Sequence, residues 1–325
     1  MADLYPLLTT FGVALAGAAI LTPVAEKVAI KFGAIDKPNA RKVHKAPIPL
    51  WGGLAIAFAS IIAVLVSLGV FESLRHQINQ RMASNLIGIL IGGIIILIVG
   101  MIDDKIAMPA KVKLAFQILV AVILIKFGVV IQFLTIPGIG FVVLPVWAAW
   151  GVTIFWIVGL TNAINLMDGL DGLLAGASTI FALLFFIVAL LKGQYVVALL
   201  MMALAGACLG FLKFNFNPAR IFMGDTGSLF LGLMFSSLSI MGALKVTTTA
   251  AVIVPLLIMG LPVLDTSFAI VRRFLNGKPI FSPDKEHVHH QLLALGLSHK
   301  QAVLYIYLIC GTLGAIGLSL VFLVR

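Results

Sequence analysis

The sequence predicts an all-α, polytopic membrane protein of about ten transmembrane helices, forming one domain over residues 1–325. Three observations predict it. Hydrophobic residues make up 62% of the chain and charged ones only 10%, against about 45–50% and about 25% in soluble domains. Apolar runs of about 20 residues, the length a helix needs to cross a hydrocarbon core about 30 Å thick, recur from end to end. The polar residues between them fall mostly into alternate loops.

The runs are expected at 4–29, 51–70, 85–102, 112–130, 145–161, 173–191, 195–212, 228–244, 248–271 and 301–324. The first basic residue is Lys27, so the positive start of a secretory signal is missing and the first run is expected to stay as a helix. Ten crossings put both termini on one side. Of 22 Lys and Arg, 16 then fall on the other side, which is therefore expected to be cytoplasmic, with both termini outside. Of 12 acids, only Asp3 and Glu72 lie outside, so the inner loops collect both signs of charge. Retention of positive charge does not explain that, whereas acids placed for chemistry do. Residues 132–144 carry Pro-Gly-Ile-Gly between β-prone residues and predict a small periplasmic hairpin. Residues 289–301 are expected to form a short interfacial helix.

Cys208 and Cys310 lie inside apolar runs and suggest neither a disulfide nor a zinc site. The net charge of +10 fits loop topology and anionic lipids or substrates better than nucleic acid.

Five polar constellations stand out. Asp103-Asp104 closes an apolar run; two adjacent acids repel and call for a metal or for Lys105, Lys111 or Lys113. Asn162, Asn165, Asp168 and Asp171 recur every third residue. An ideal α-helix would fan them out, whereas a 3₁₀ turn would stack them on one face, with Gly169 and Gly172 permitting the departure. Asp225 sits between Gly224 and Gly227, where Thr226 or Ser228 is expected to cap the following helix and keep the carboxylate ionised. Such a carboxylate suits a hard cation. His287, His289 and His290 gather three of the six histidines beside Lys285, a set that suits pyrophosphate better than zinc. The loop 36–45, with Lys45 at its end, would steer anionic headgroups. Asp265 lies inside the ninth run, where a helix–helix pairing and a functional role both stand open.

At these residues the chain resembles the polyprenyl-phosphate N-acetylhexosamine-1-phosphate transferases of glycosyltransferase family 4. The resemblance rests on Arg41-Lys42-Val43-His44 with Pro49 and Gly52-Gly53, on Asp103-Asp104, and on Asn162-x-x-Asn165-x-x-Asp168-Gly169-x-Asp171-Gly172. It continues through Pro218-Ala219-x-x-Phe222-Met223-Gly224-Asp225-Thr226-Gly227-Ser228 and His287-x-His289-His290. It implies an active site on the cytoplasmic face of the cell membrane. There, UDP-N-acetylhexosamine and polyprenyl phosphate give polyprenyl-diphospho-sugar and UMP with Mg²⁺, or Mn²⁺ in its place. Relatives that transfer phospho-MurNAc-pentapeptide carry three consecutive histidines, then x-Glu. This chain has His-Val-His-His-Gln and so resembles the undecaprenyl-phosphate GlcNAc-1-phosphate branch.

The resemblance implies catalytic roles for Asp103, Asp104 and Asp225, with Asp225, Asp104 and Asp168 about the metal. It implies substrate contacts from Lys45, Lys113, Asn162, Asn165, Asp168, Asp171, Asn215, His287, His289 and His290. A homodimer is compatible with it. Two alternatives stay open: the pentapeptide transferase, and a nucleotide-sugar transporter, although no inverted repeat is visible and the acids sit at helix ends rather than mid-membrane.

Overall fold

The structure, a computed structural model, describes residues 4–38, 46–136, 140–243, 250–277 and 286–323. It is mostly helical. In order it runs α1 (Tyr5–Phe32), β1 (Ile35–Asp36), β2 (Ile48–Pro49), α2 (Gly52–Val70), α3 (Glu72–Arg75), α4 (Gln80–Ile106), α5 (Ala110–Lys126), β3 (Phe133–Ile136), β4 (Gly140–Val143) and α6 (Val146–Met167). Then follow α7 (Leu173–Leu191), α8 (Tyr195–Asn215), α9 (Gly224–Ala243), α10 (Ala250–Ile258), α11 (Gly260–Leu275), α12 (Val288–Ala294) and α13 (His299–Leu323).

Helices α8 and α9 are buried along almost their whole described length and form the centre. Around α9 pack α4, α6 and α2; around α8 pack α1, α7 and α2. Lipid is as apolar as leucine, so close backbone approach rather than hydrophobicity must drive this association. Gly206 and Gly210 of α8, four residues apart, meet Ala14 and Ala18 of α1. A methyl group at either glycine would run into the α1 carbonyls of Phe11 and Leu15. Thr10 Oγ1 and Ser67 Oγ share a hydrogen bond of 2.6 Å between α1 and α2.

Ten uniform crossings are not what the structure contains. Among the described residues, seven helices are long and apolar enough to cross a membrane, or eight if a bent pair counts as one. Two expected spans are marginal for physical reasons. Helix α5 has 17 residues, the lower limit of spanning length, and α9 opens with five residues, Gly-Asp-Thr-Gly-Ser, that add no apolar length. The ninth expected span, 248–271, is not one helix. It breaks at Met259, and the segments on either side meet at 87°. Pro262 has no N–H for the carbonyl of Ile258 and its ring crowds that group, while Gly260 weakens the helix beside it.

The hairpin expected at 132–144 is present: β3 and β4 pair antiparallel, Phe133 opposite Val143 and Thr135 opposite Phe141. A second pair, β1–β2, joins Ile35 to Pro49 and Asp36 to Ile48 and was not anticipated. It continues into the bundle, because Phe222 N donates to Pro49 O at 2.9 Å and the amides of Gly52 and Gly53 donate to the carbonyls of Phe222 and Met223 at 3.0 Å. Between them, Trp51 takes a left-handed φ of 71°, a strain of about 1–3 kcal/mol for a bulky residue. Its burial and the bond from its Nε1 to Met101 O at 3.2 Å hold it there. The interfacial helix expected at 289–301 is shorter: α12 ends at Ala294, and α13 begins at His299.

Candidate active site

The acids converge where α4 ends and α9 begins. Asp104, in the last turn of α4, reaches across to the first turn of α9. Its Oδ1 accepts from Asp225 N at 2.7 Å, and its Oδ2 accepts from Thr226 N at 3.2 Å and Thr226 Oγ1 at 2.6 Å. The first amides of a helix have no intrahelical acceptor, so a carboxylate from another helix serves as the cap. Thr226 or Ser228 was expected to cap; instead Thr226 donates to Asp104, and Ser228 Oγ donates to Gly224 O at 3.0 Å. The arrangement depends on Gly224, whose φ is +70° and whose missing Cβ leaves room for the Asp104 carboxylate.

Asp103 turns the other way. Its Oδ1 accepts from Met108 N at 2.6 Å and its Oδ2 from Lys113 Nζ at 2.9 Å. The same ammonium donates to Asp225 Oδ2 at 2.9 Å. Lys113 therefore bridges two acids carried by α4 and α9. Asn165, near the end of α6, donates to Asp225 Oδ1 at 3.1 Å and to Ser228 Oγ at 2.7 Å. Together with Asp36, Leu50 and Asp168, these residues line a cavity of about 420 Å³.

Asp168 is the exception within that cavity. It follows the end of α6, and among the described residues nothing donates a hydrogen bond to it. Burial raises its carboxyl pKa to about 8, with the charges of Asp225, Asp104 and Asp171 adding to the effect. Asp36, Asp103, Asp104 and Asp225 against one lysine leave the cavity acidic, and Asp168 adds a further hard oxygen donor once deprotonated. Among the described residues no three carboxylates or imidazoles stand close enough to enclose an ion by themselves. A hard cation such as Mg²⁺ commonly takes only one or two carboxylates and completes its shell with water and phosphate oxygens.

The period-three motif does not stack. Helix α6 stays α-helical to Met167, so the four residues diverge. Asn162 turns to α5, exchanging hydrogen bonds with Gln117 at 2.6 and 3.3 Å. Asp171 Oδ2 accepts from Asn217 Nδ2 at 2.9 Å and from Ala219 N at 3.1 Å. It lines a separate cleft of about 710 Å³ with Glu26, Pro49, Arg220 and His299. The strand pair divides the two spaces, since Asp36 faces the first and Ile35 the second. Asn215 is a buried staple: its Oδ1 accepts from Gly172 N at 3.1 Å and its Nδ2 donates to Ile221 O at 3.0 Å. Lys45 lies outside the described residues.

The histidines approach from α12. His287 and His289 are buried, with rings parallel at 5.9 Å between centroids, and His289 lies 4.2 Å from His290. The imidazole of His289 fits over Gly169, where any Cβ would collide with it. This joins the histidine segment to the Asp168–Gly172 loop. Burial, with His290 and His287 beside it, pushes the His289 pKa down to about 4, so it is neutral at pH 7. Sequence reasoning missed Asp36 as a lining residue, Thr226 as the partner of Asp104, and Gln117 as the partner of Asn162. A polar Gln117 inside an apolar run was the available signal for the last.

Comparison with known proteins adds a separate line. The model of glycosyl transferase family 4 matches residues 86–243. The chain is 43% identical to a probable undecaprenyl-phosphate N-acetylglucosaminyl 1-phosphate transferase of Bacillus subtilis (strain 168), over 93% of this chain and 82% of that one. It is 39% identical to a decaprenyl-phosphate N-acetylglucosaminephosphotransferase of Mycolicibacterium smegmatis, over 91% and 77%. It is 30% identical to an undecaprenyl-phosphate alpha-N-acetylglucosaminyl 1-phosphate transferase of Salmonella typhi, over 91% and 79%.

Proposed function

The chain belongs to glycosyl transferase family 4, and on that premise we propose that it transfers GlcNAc-1-phosphate from UDP-GlcNAc to undecaprenyl or another polyprenyl phosphate, releasing UMP. The product, polyprenyl-diphospho-GlcNAc, would begin a cell-envelope glycan. The observation that carries the chemistry is the Asp103–Lys113–Asp225 bridge, with Asp168 beside it unpaired among the described residues.

Both substrates are anions, so their repulsion has to be screened before they meet. A lipid phosphate is already a nucleophile and needs positioning more than activation. One of its oxygens bonds to the sugar-bearing phosphorus of UDP-GlcNAc as the bond from that phosphorus to the UMP oxygen breaks. Asp103, at the end of α4, orients the lipid phosphate and accepts any proton it still carries. Lys113 attracts the incoming phosphates. Asn165 holds Asp225 in register, and Asp104 holds the helix that carries Asp225. Asp225 and Asp168 carry the oxygens that would hold Mg²⁺, or Mn²⁺ in its place, while Asp104, expected from the sequence to share the ion, is engaged in the cap of α9. Held there, such an ion would supply positive charge to the donor pyrophosphate and the leaving UMP. His289 and His290 contact the donor pyrophosphate.

In this reading the site faces the cytoplasm and both termini lie outside. The basic bias of the loops supports it. So does the crossing count, because α5, α9 and the bent pair added to the seven long helices restore an even number. The proposal includes a homodimer, which cross-linking in native membranes tests.

Purified protein should release UMP only when UDP-GlcNAc, polyprenyl phosphate and Mg²⁺ are all present. Passage of the nucleotide sugar across vesicles with no UMP would replace this reading with the transporter. Exclusive use of the UDP-MurNAc-pentapeptide would replace it with the peptidoglycan enzyme.

A further inference from the structure

Asp265 belongs to none of the roles above, yet it is the main tether of the histidine segment. It lies on α11, on the side that turns inward with the buried Pro262 and Ala269, while Leu264, Phe268, Val271 and Leu275 form an exposed row on the other side. Its Oδ2 lies 2.8 Å from His287 Nδ1 and its Oδ1 accepts from Val288 N at 3.0 Å. The side chains of both partners are largely buried, 7% exposed for His287 and 15% for Asp265. Two turns further along the same face, Arg272 Nε pairs with Glu286 Oε2 at 2.8 Å. Residues 286–288 are thus clamped along α11 at two points, and the clamp determines where the ring stack of His287, His289 and His290 meets Gly169.

We infer that Asp265 is a positioning residue for the donor-binding histidines, acting through its bond to His287 Nδ1. A carboxylate facing Nδ1 makes that nitrogen the donor, which fixes the tautomer and the ring plane of His287. His289 stacks parallel on that ring, so its own orientation follows. This inference rests on the proposed function, because the histidines matter to catalysis only if they meet the donor.

A purely structural role has a different signature. Asp265 also caps α12 by accepting from Val288 N, and Asn caps a helix about as well as Asp does. Asp265→Asn therefore keeps the cap and removes the acceptor facing His287. The expected result is a kcat/KM for UDP-GlcNAc lower by roughly 10- to 100-fold, the range set by losing the carboxylate that orients a metal-bound histidine. The KM for polyprenyl phosphate and the thermal midpoint in detergent should stay at wild-type values, and Asp265→Glu should recover part of the loss. The double variant Asp265→Asn/His287→Gln should be no worse than the poorer single one, because both interrupt one interaction. A silent Asp265→Asn, a rise in both KM values together with a lower thermal midpoint, or additive losses in the double variant would each overturn the inference. A wild-type protein that releases no UMP would instead overturn the proposed function, a result visible before any variant is made.

Discussion

The acid cluster and the histidine segment reach the same region by opposite means. The acids are carried by helix ends that belong to the centre of the bundle. Asp104 and Asp225 hold each other through the backbone of α9, and moving either means moving a buried helix. The histidines sit on α12, seven residues long, docked by side-chain bonds to Asp265 and Arg272 on a helix set at 87° to its predecessor. One part of the site is made by folding the core, and the other is attached to it. Chemistry and stability should be coupled at Asp104, the acid that caps the core helix α9, and separable at the histidines.

The largest test of that contrast is Asp225→Asn. It should lower UMP release on the order of 10²–10³-fold or more, as expected when the anchor of the cation that would offset the developing charge is lost, while helical content by circular dichroism stays unchanged. Near-normal turnover would remove Asp225 from the reacting centre. Asp104→Ala comes next and should damage both properties: activity falls, and loss of the α9 cap lowers stability by about 0.5–2 kcal/mol. Asp104→Asn, which keeps an acceptor, should recover much of the stability in a detergent melt. Full activity in Asp104→Ala would break the coupling.

A third effect follows from Asp168. Its folded pKa, about 8, lies above the ordinary 3.8. Without a cation, its contribution to stability is complete below the ordinary value and is lost as pH rises through about 8. A divalent ion binds the deprotonated form, so uptake at pH 7 should release a proton. Apparent affinity should rise by about tenfold per pH unit until it levels near pH 8. Calorimetry in two buffers of different ionisation heat checks this, and uptake without proton release would take Asp168 out of the ion's surroundings. The smallest effect is expected at Asn162, which bonds to Gln117 rather than to the cavity. Asn162→Ala should leave both KM values alone and cost about 0.6 kcal/mol of stability, typical of a polar bond between membrane helices. A raised KM for the donor would restore Asn162 to the binding site.

Much of this was legible in the sequence, and the failures have identifiable causes. Apolar length located most helices, and alternating charge gathered Asp103, Asp104, Asp168 and Asp225 at one end of the bundle before any coordinates. Spacing by three did not predict the fate of Asn162 and Asp171. The helix simply continued to Met167, and neighbours such as Gln117 and Asn217, remote in sequence, claimed those side chains. Hydropathy could not reveal the bend at Met259, because a broken helix is as greasy as a straight one; Gly260 and Pro262 carried that signal. Two-residue strands such as β1 and β2 are too short to show any alternation. The cap on α9 was sought in its own sequence and came from another helix.

Lys113 has a consequence for the protein at rest. With its ammonium already touching Asp103 and Asp225, the cavity carries a resident counter-ion of its own. Chelation should therefore silence the protein without splaying α4 from α9. An arriving cation has to compete with this tethered ammonium for Asp225 rather than fill a void, whereas an arriving phosphate is drawn to it.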